Sequence, residues 1–207
     1  MKQPNELGRR ERKKQELRQA LVDAAYELFE KLGFDQTRIE DITDKVDVST
    51  RTFFRYFASK EEVVLDYDAV EQQEIVAALI ARPTNESILT ALRQAAVEVT
   101  KACEEGFYGV DGDRFRTLRS LIRTHPLIQA RRLEQAKARK EVLVSVIAQR
   151  LNLDQNQDIR PLVIAGILEF VSSAAFDAWQ SFPSRSVPYS KMLDEVFQLA
   201  EDGLNLK

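Results

Sequence analysis

Between Ser49 and Lys60 the chain gathers side chains suited to a polyanionic surface: Ser49, Thr50, Arg51, Thr52, Arg55, Tyr56 and Lys60, interleaved with Phe53, Phe54 and Phe57. Hydroxyls, guanidinium groups and an aromatic edge are the groups that meet phosphate oxygens, guanine edges and thymine methyls. They do so specifically only when a rigid element presents them along one edge. Ser49 is a good N-cap, so a helix is expected over 50–57. At helical spacing Phe53 and Phe57 face inward with Val48, which leaves Thr50, Arg51, Phe54 and Arg55 outward, flanked by Thr52 and Tyr56.

The preceding element must brace that helix. Thr37 and Glu40 have the spacing of a capping box, and Ile39, Ile42 and Val46 recur on one helical face. Two short helices joined by so tight a turn cross steeply, which is helix-turn-helix geometry, here over about 37–57. A third helix is expected at once, because Ser59 and Glu62 repeat the capping pattern. Lys60 falls in its first turn, where a cation opposes the helix dipole unless an anion is near, and a DNA phosphate would be that anion. Upstream, 15–32 carries Leu21, Ala25, Leu28, Phe29 and Leu32 on one stripe and stops at Gly33, a core helix under the DNA-facing pair.

The stretch AAYELFEKLGFDQTRIEDITDKVDVSTRTFFRYFASKEEV resembles the N-terminal domain of the TetR family of bacterial transcriptional regulators. The resemblance implies a double-stranded DNA operator as partner. It places Thr37 and Arg38 near the DNA backbone, turns Ser49, Thr50, Arg51, Thr52, Phe54 and Tyr56 to the operator, with Arg55 beside them, and sets Lys60 on a phosphate. Asp47 stands where the family usually has Gly, and Asp tolerates the left-handed backbone better than most residues. Phe54 stands where Tyr is common, which removes a hydroxyl but keeps an apolar face for a thymine methyl.

Arg9, Arg10, Arg12, Lys13 and Lys14 crowd residues 1–14 into a basic arm, which either follows the DNA backbone or minor groove or is a solvated tail. The net charge of -3 does not advertise nucleic-acid binding, but residues 1–60 hold 13 Lys/Arg against 11 Asp/Glu and the remainder 17 against 22. The basic excess therefore travels with the DNA-facing region, taken as 15–60.

Residues 61–207 are enough for a second core and read as helical throughout, so the expected class is all-α. Helices are expected near 59–81, 85–105, 113–124, 126–151, 158–182 and 188–204, with one loop marked by Gly106, Gly109 and Gly112. Strand signals are absent, and neither a secretory signal nor an apolar run of membrane-spanning length is apparent, which predicts a cytoplasmic protein without a membrane partner. With Cys103 as the single cysteine there is no internal disulfide and no thiolate metal cluster. No nucleophile with a base and no carboxylate cluster is recognisable, so no enzyme, metal or cofactor is expected; a helical enzyme or redox sensor using Cys103 and His125 is the rival class.

The run LVIAGILEFVSSAAFDAWQSF is apolar on nearly all sides yet rich in small residues, and the last helix carries Tyr189, Leu193, Val196, Phe197, Ala200 and Leu204 on one stripe. Both complete either the protomer core or a two-fold four-helix bundle. The family resemblance implies the homodimer. Arg116, Arg119 and Arg123 recur on one helical face, with Arg131 beyond. This segment and FVSSAAFDAW are similar to the C-terminal domain of mycofactocin-type TetR regulators, which implies a small apolar or acyl-CoA-like inducer met by Arg116, Arg119, Arg123, Phe170 and Trp179. A solvated arginine face over a filled core, or a protein partner in place of an inducer, are the alternatives. The resulting expectation is a homodimeric, ligand-responsive repressor with a C-terminal ligand-binding and dimerisation domain.

Overall fold

The computed structural model describes residues 8–107, 112–181 and 187–203, which form nine helices and no strand. The chain divides into two compact units, Met1–Asp66 and Tyr67–Lys207. The division falls inside a continuous helix, later than the boundary near residue 60 expected from the capping pattern.

In the first unit α1 (Arg9–Leu32) begins well before residue 15, so Arg9 to Lys14 are its opening turns, while residues 1–7 of the expected arm lie outside the described residues. Leu21, Ala25, Tyr26 and Phe29 bury its inner face. Gly33 ends it at φ 86, a backbone angle that disfavours any residue with a Cβ. Next come α2 (Ile39–Lys45) and α3 (Thr50–Phe53), joined through Asp47 at φ 55, the left-handed turn residue that aspartate tolerates. Phe53 and Phe57 are both buried with ring centroids 5.6 Å apart, as their spacing predicts.

Three local expectations are corrected. The capping box of α2 sits one residue later: the Arg38 amide donates to Asp41 Oδ2 at 2.9 Å, while the Thr37 hydroxyl turns back to the Gly33 carbonyl at 2.8 Å. That carbonyl, left open where α1 ends, is the nearer acceptor for Thr37. At the next boundary Glu62 takes the Ala58 amide at 2.8 Å, and the Ser59 hydroxyl has no partner. Finally, α3 proper is one turn long, and 54–56 continue as a turn in which Tyr56 N–H reaches the Phe53 carbonyl at 2.8 Å.

The second unit takes most of α4 (Lys60–Ala81), then α5 (Ile88–Glu104), α6 (Gly112–Thr124), α7 (Pro126–Leu151), α8 (Arg160–Ser181) and α9 (Tyr189–Glu201). Part of the expected glycine loop (108–111) and the expected helix ends at 182 and 204 lie outside the described residues. Ser87 caps α5, accepting the Thr90 amide at 3.1 Å, and Asn152 at φ 53 closes α7. Across the core, the Glu104 carboxylate caps α9, accepting Tyr189 N–H at 2.6 Å and Ser190 N–H at 3.2 Å. Cys103 is buried, and burial pushes its thiol up to about 12, so it is a core residue without thiolate character.

Contrary to the expectation of no such run, α8 is long and apolar enough to cross a membrane on length and composition. It packs on α7 and α9 all the same, and its carboxylates are paired, Asp177 with Arg123 at 2.7 Å and Glu169 with Lys140 at 3.7 Å. Leu162, Val163 and Phe170 remain exposed on its other side.

Lys60 does something different from what its position suggested. Its ammonium donates to the carbonyls of Phe34 (2.7 Å), Thr37 (3.1 Å) and Asp35 (3.3 Å) and lies 4.4 Å from the Phe34 ring centroid. A lysine has three N–H donors, and the loop between α1 and α2 takes all of them. The partial negative charges of these carbonyl oxygens thus face the ammonium at the helix start. Lys60→Met is expected to destabilise the protein by about 2 kcal/mol in urea denaturation, the scale of a charged hydrogen-bonded group. The salt dependence of DNA binding should be unchanged in that variant.

Candidate functional site

The helix-turn-helix presents a polar edge. Ser49 Oγ accepts the Thr52 amide at 3.2 Å and lies 3.0 Å from the Thr52 hydroxyl, so the cap fixes both side chains at the start of α3. Arg51 and Arg55 are exposed, Phe54 is 55% exposed, and Thr50, Thr52 and Tyr56 are half-buried beside them. Beneath, Phe53 meets Phe54 edge-on at 5.7 Å, so the exposed ring stands on a buried one. Arg38 is exposed at the start of α2, its guanidinium donating to Asp41 Oδ1 at 2.8 Å, a contact that holds the Asp41 carboxyl below its usual range. Thr37 is 1% exposed with its hydroxyl donating to the Gly33 carbonyl, and the partly exposed Lys60 donates to three loop carbonyls.

One grouping went unseen in the sequence. The opening turns of α1 and the end of the α3 turn enclose a groove of about 480 Å³, lined by Arg10, Lys13, Lys14, Leu17, Arg55 and Tyr56 among others. Four cations around one groove form a cradle for a phosphate backbone. Arg18 anchors the arrangement: it makes a double ion pair with Asp66 and stacks 4.7 Å from the Phe57 ring centroid.

The second unit holds an open cavity of about 810 Å³. Its lining mixes the apolar residues Ile122, Leu133, Leu143, Ala165, Leu168 and Phe176 with the cations Arg119, Arg123, Arg132, Lys137, Arg139 and Lys140 and the carboxylate of Glu169. Of the residues expected at a ligand, Arg119 and Arg123 line it, 4.9 Å from the Tyr189 ring and 5.7 Å from the Phe176 ring respectively. The others do not. Arg116 is exposed away from the cavity, and Phe170 is 59% exposed on the uncovered side of α8. Trp179 packs on Phe176 and Tyr189 with its indole N–H donating to the Val187 carbonyl at 2.9 Å. The α5 residues Leu92, Ala96 and Val99 are filled core.

Missed altogether were Asp68 and Glu71. Both are buried on α4, at 0% and 1% exposure, with Glu71 paired to Arg119 and Asp68 Oδ2 accepting Arg139 Nη1 at 2.6 Å and Arg132 Nε at 3.1 Å. Burial pushes the Glu71 carboxyl up despite the pull of Arg119. A signal for them existed: Val64, Asp68, Glu71, Ile75 and Leu79 fall on one buried helical stripe whose middle positions are acids.

A cation-bearing helix-turn-helix joined by a continuous helix to a helical, cavity-bearing unit is the architecture of a DNA-binding regulator. Residues 21–67 match the model described as bacterial regulatory proteins, tetR family, and residues 86–205 match that of the MftR C-terminal domain. The chain is 33% identical over 199 residues to the HTH-type transcriptional regulator TcmR of Streptomyces glaucescens, covering 93% of this chain and 88% of that one. It belongs to the TetR family of transcriptional regulators, with an MftR-type C-terminal domain. The fold is also that of the fatty acid degradation regulator FadR from Bacillus halodurans, with a TM-score of 0.61 at 14% identity over 92% of this chain and 97% of that one. FadR of Thermus thermophilus, a TetR family repressor solved with lauroyl-CoA, gives 0.53 at 24% identity over 92% and 96%.

Arg51→Ala is expected to cost about 1–3 kcal/mol on a selected operator and little on random duplex, as a base contact would. Arg55→Ala, in the cradle, should weaken both alike and lower the slope of log affinity against log salt by about one. Filter binding across a salt series separates the two; equal losses for Arg51→Ala on both duplexes would make it a phosphate contact.

Proposed function

We propose that this regulator is a homodimeric repressor whose α3 edges, formed by Ser49, Thr50, Arg51, Thr52 and Phe54, enter successive major grooves of a two-fold operator. Arg38, Arg55 and Tyr56 would lie against the flanking phosphates, and an acyl-CoA-like amphiphile in the cavity would release the complex. The observation that carries the ligand reading is the cavity itself: about 810 Å³, lined by both cationic and apolar side chains. That size lies within the range of small-molecule sites, and guanidinium groups among apolar side chains suit an acidic head with a greasy tail. The lauroyl-CoA held by the Thermus thermophilus FadR is such a molecule.

Dimerisation draws its support from α8, whose Leu162, Val163 and Phe170 are 48%, 52% and 59% exposed on one apolar side. A contiguous apolar patch on a rigid helix favours a second copy, and two-fold pairing supplies the second half-site. To empty an operator a hundredfold, the ligand need favour the non-binding state by only about 2.8 kcal/mol.

Two measurements test this reading. Lauroyl-CoA added to the protein on an operator selected from random duplex should release it in fluorescence anisotropy; unchanged binding at saturating ligand would contradict the inducer. Val163→Glu combined with Phe170→Glu should sediment as a monomer and lose roughly a hundredfold or more in operator affinity, because the linked second half-site is lost. A dimeric double variant would move the interface elsewhere.

A further inference from the structure

The cavity's guanidinium groups are already engaged. Arg119 is paired with Glu71, Arg123 with Asp177, and Arg132 and Arg139 share Asp68. A ligand anion therefore enters a site where each arginine already has a carboxylate, and three of those arginines hold acids that belong to α4. Asp68 and Glu71 do not line the cavity; they sit behind the arginines that do.

These buried pairs are incompletely satisfied. Arg132 and Arg139 both donate to Asp68 Oδ2, and Asp68 Oδ1, in a side chain with no exposure, has no hydrogen-bond partner. In the neighbouring pair, Glu71 Oε1 accepts Arg119 and the Thr100 hydroxyl, whereas Glu71 Oε2 and Arg119 Nε have no partner. Buried polar atoms without partners weaken the state that contains them, so an anion that offers acceptor oxygens to these arginines has a poorly saturated rival.

We propose that the acidic head of an amphiphilic ligand takes Arg132 and Arg139 from Asp68, and that this exchange of ion-pair partner, rather than the bulk of the ligand, drives the release of DNA. The inference rests on the cavity being the effector site. Asp68 deprived of both arginines is a buried, unpaired carboxylate, which the interior does not tolerate. It must then take up a proton or gain water, and a shift of its stretch of α4 gives it that access; α4 is the helix that begins at Lys60, on the carbonyls of the α1–α2 loop. The anion thus acts through a competition between two carboxylate-like groups for the same guanidinium pair. Linkage makes the effect reciprocal: whatever weakens the hold of Asp68 must tighten the binding of the anion.

The test uses the full-length dimer and Asp68→Asn. With no ligand present, the folded variant is expected to bind a selected operator at least tenfold more weakly than wild type. It should bind lauroyl-CoA at least fivefold more tightly, a gain that mere loss of structure would not produce. Dodecanol, which has the tail without the acid, should leave wild-type operator binding unchanged. A folded Asp68→Asn with wild-type affinity for both operator and lauroyl-CoA would overturn the exchange, as would equal release by dodecanol. Should lauroyl-CoA fail to bind or release the wild type, the effector reading fails, while the ligand-free operator measurement still decides the role of Asp68. If Asp68→Asn does not fold, Arg132→Gln leaves Arg139 to hold Asp68 and replaces it in the ligand-free measurement; severalfold weaker operator binding supports the exchange and wild-type affinity refutes it.

Discussion

A charge buried in an apolar interior must be paired, and α4 carries two such charges, Asp68 and Glu71, downstream of the partly exposed and likewise partnered Lys60 and Asp66. Lys60 is held by three loop carbonyls and Asp66 by Arg18 in the first unit; Asp68 is held by Arg132 and Arg139, and Glu71 by Arg119, in the second. The apolar residues between them, Val63, Val64 and Leu65, then Ile75 and Leu79, would bury α4 in many registers. The ion pairs select one register. A helix fixed by charge at several points is stiff along its length, yet it becomes sensitive to anything that competes for the partner of one charge.

That arrangement gives the two units different chemistry. In the first, cations stand exposed around the α1–α3 groove and along the edge of α3. In the second unit the cations are folded against carboxylates and aromatic rings, Arg119 within 4.9 Å of both Phe115 and Tyr189. Exposed cations cost little and meet polyanions readily, whereas sheltered ones must be held by the partners they have. Membership of the TetR family fixes the first role.

Much of the fold was legible because it is local. Pro126 and the αL-tolerant Asn152 bound α7 where apolar periodicity and proline placed it, Gly33 stops α1, and the Phe53 and Phe57 spacing gave the inner face of the helix-turn-helix. Local contacts were harder to read where a side chain had a carbonyl within reach: Thr37 donates to the Gly33 carbonyl instead of capping α2, and Lys60, expected on a phosphate, donates to three carbonyls of its own chain. The cavity was less legible for a related reason. Arg119 and Arg123 were found from their spacing on α6, but Phe170 and Trp179 lie on a helix apolar on most sides, where periodicity cannot say which face meets a cavity and which is left uncovered. Asp68 and Glu71 escaped notice because acids in a helix usually face water, and only their place in the stripe from Val64 to Leu79 sets them inside.

The central claim is that α4 is held by buried charge pairs and loosened when an anion takes their arginines. Amide hydrogen exchange along 60–81 of the DNA-free dimer, with and without saturating lauroyl-CoA, addresses it most directly. The account predicts faster exchange around 66–72 on ligand binding, while α5 and α9 stay protected. Unchanged or slower exchange in that stretch, in a sample whose operator affinity has fallen, would contradict it.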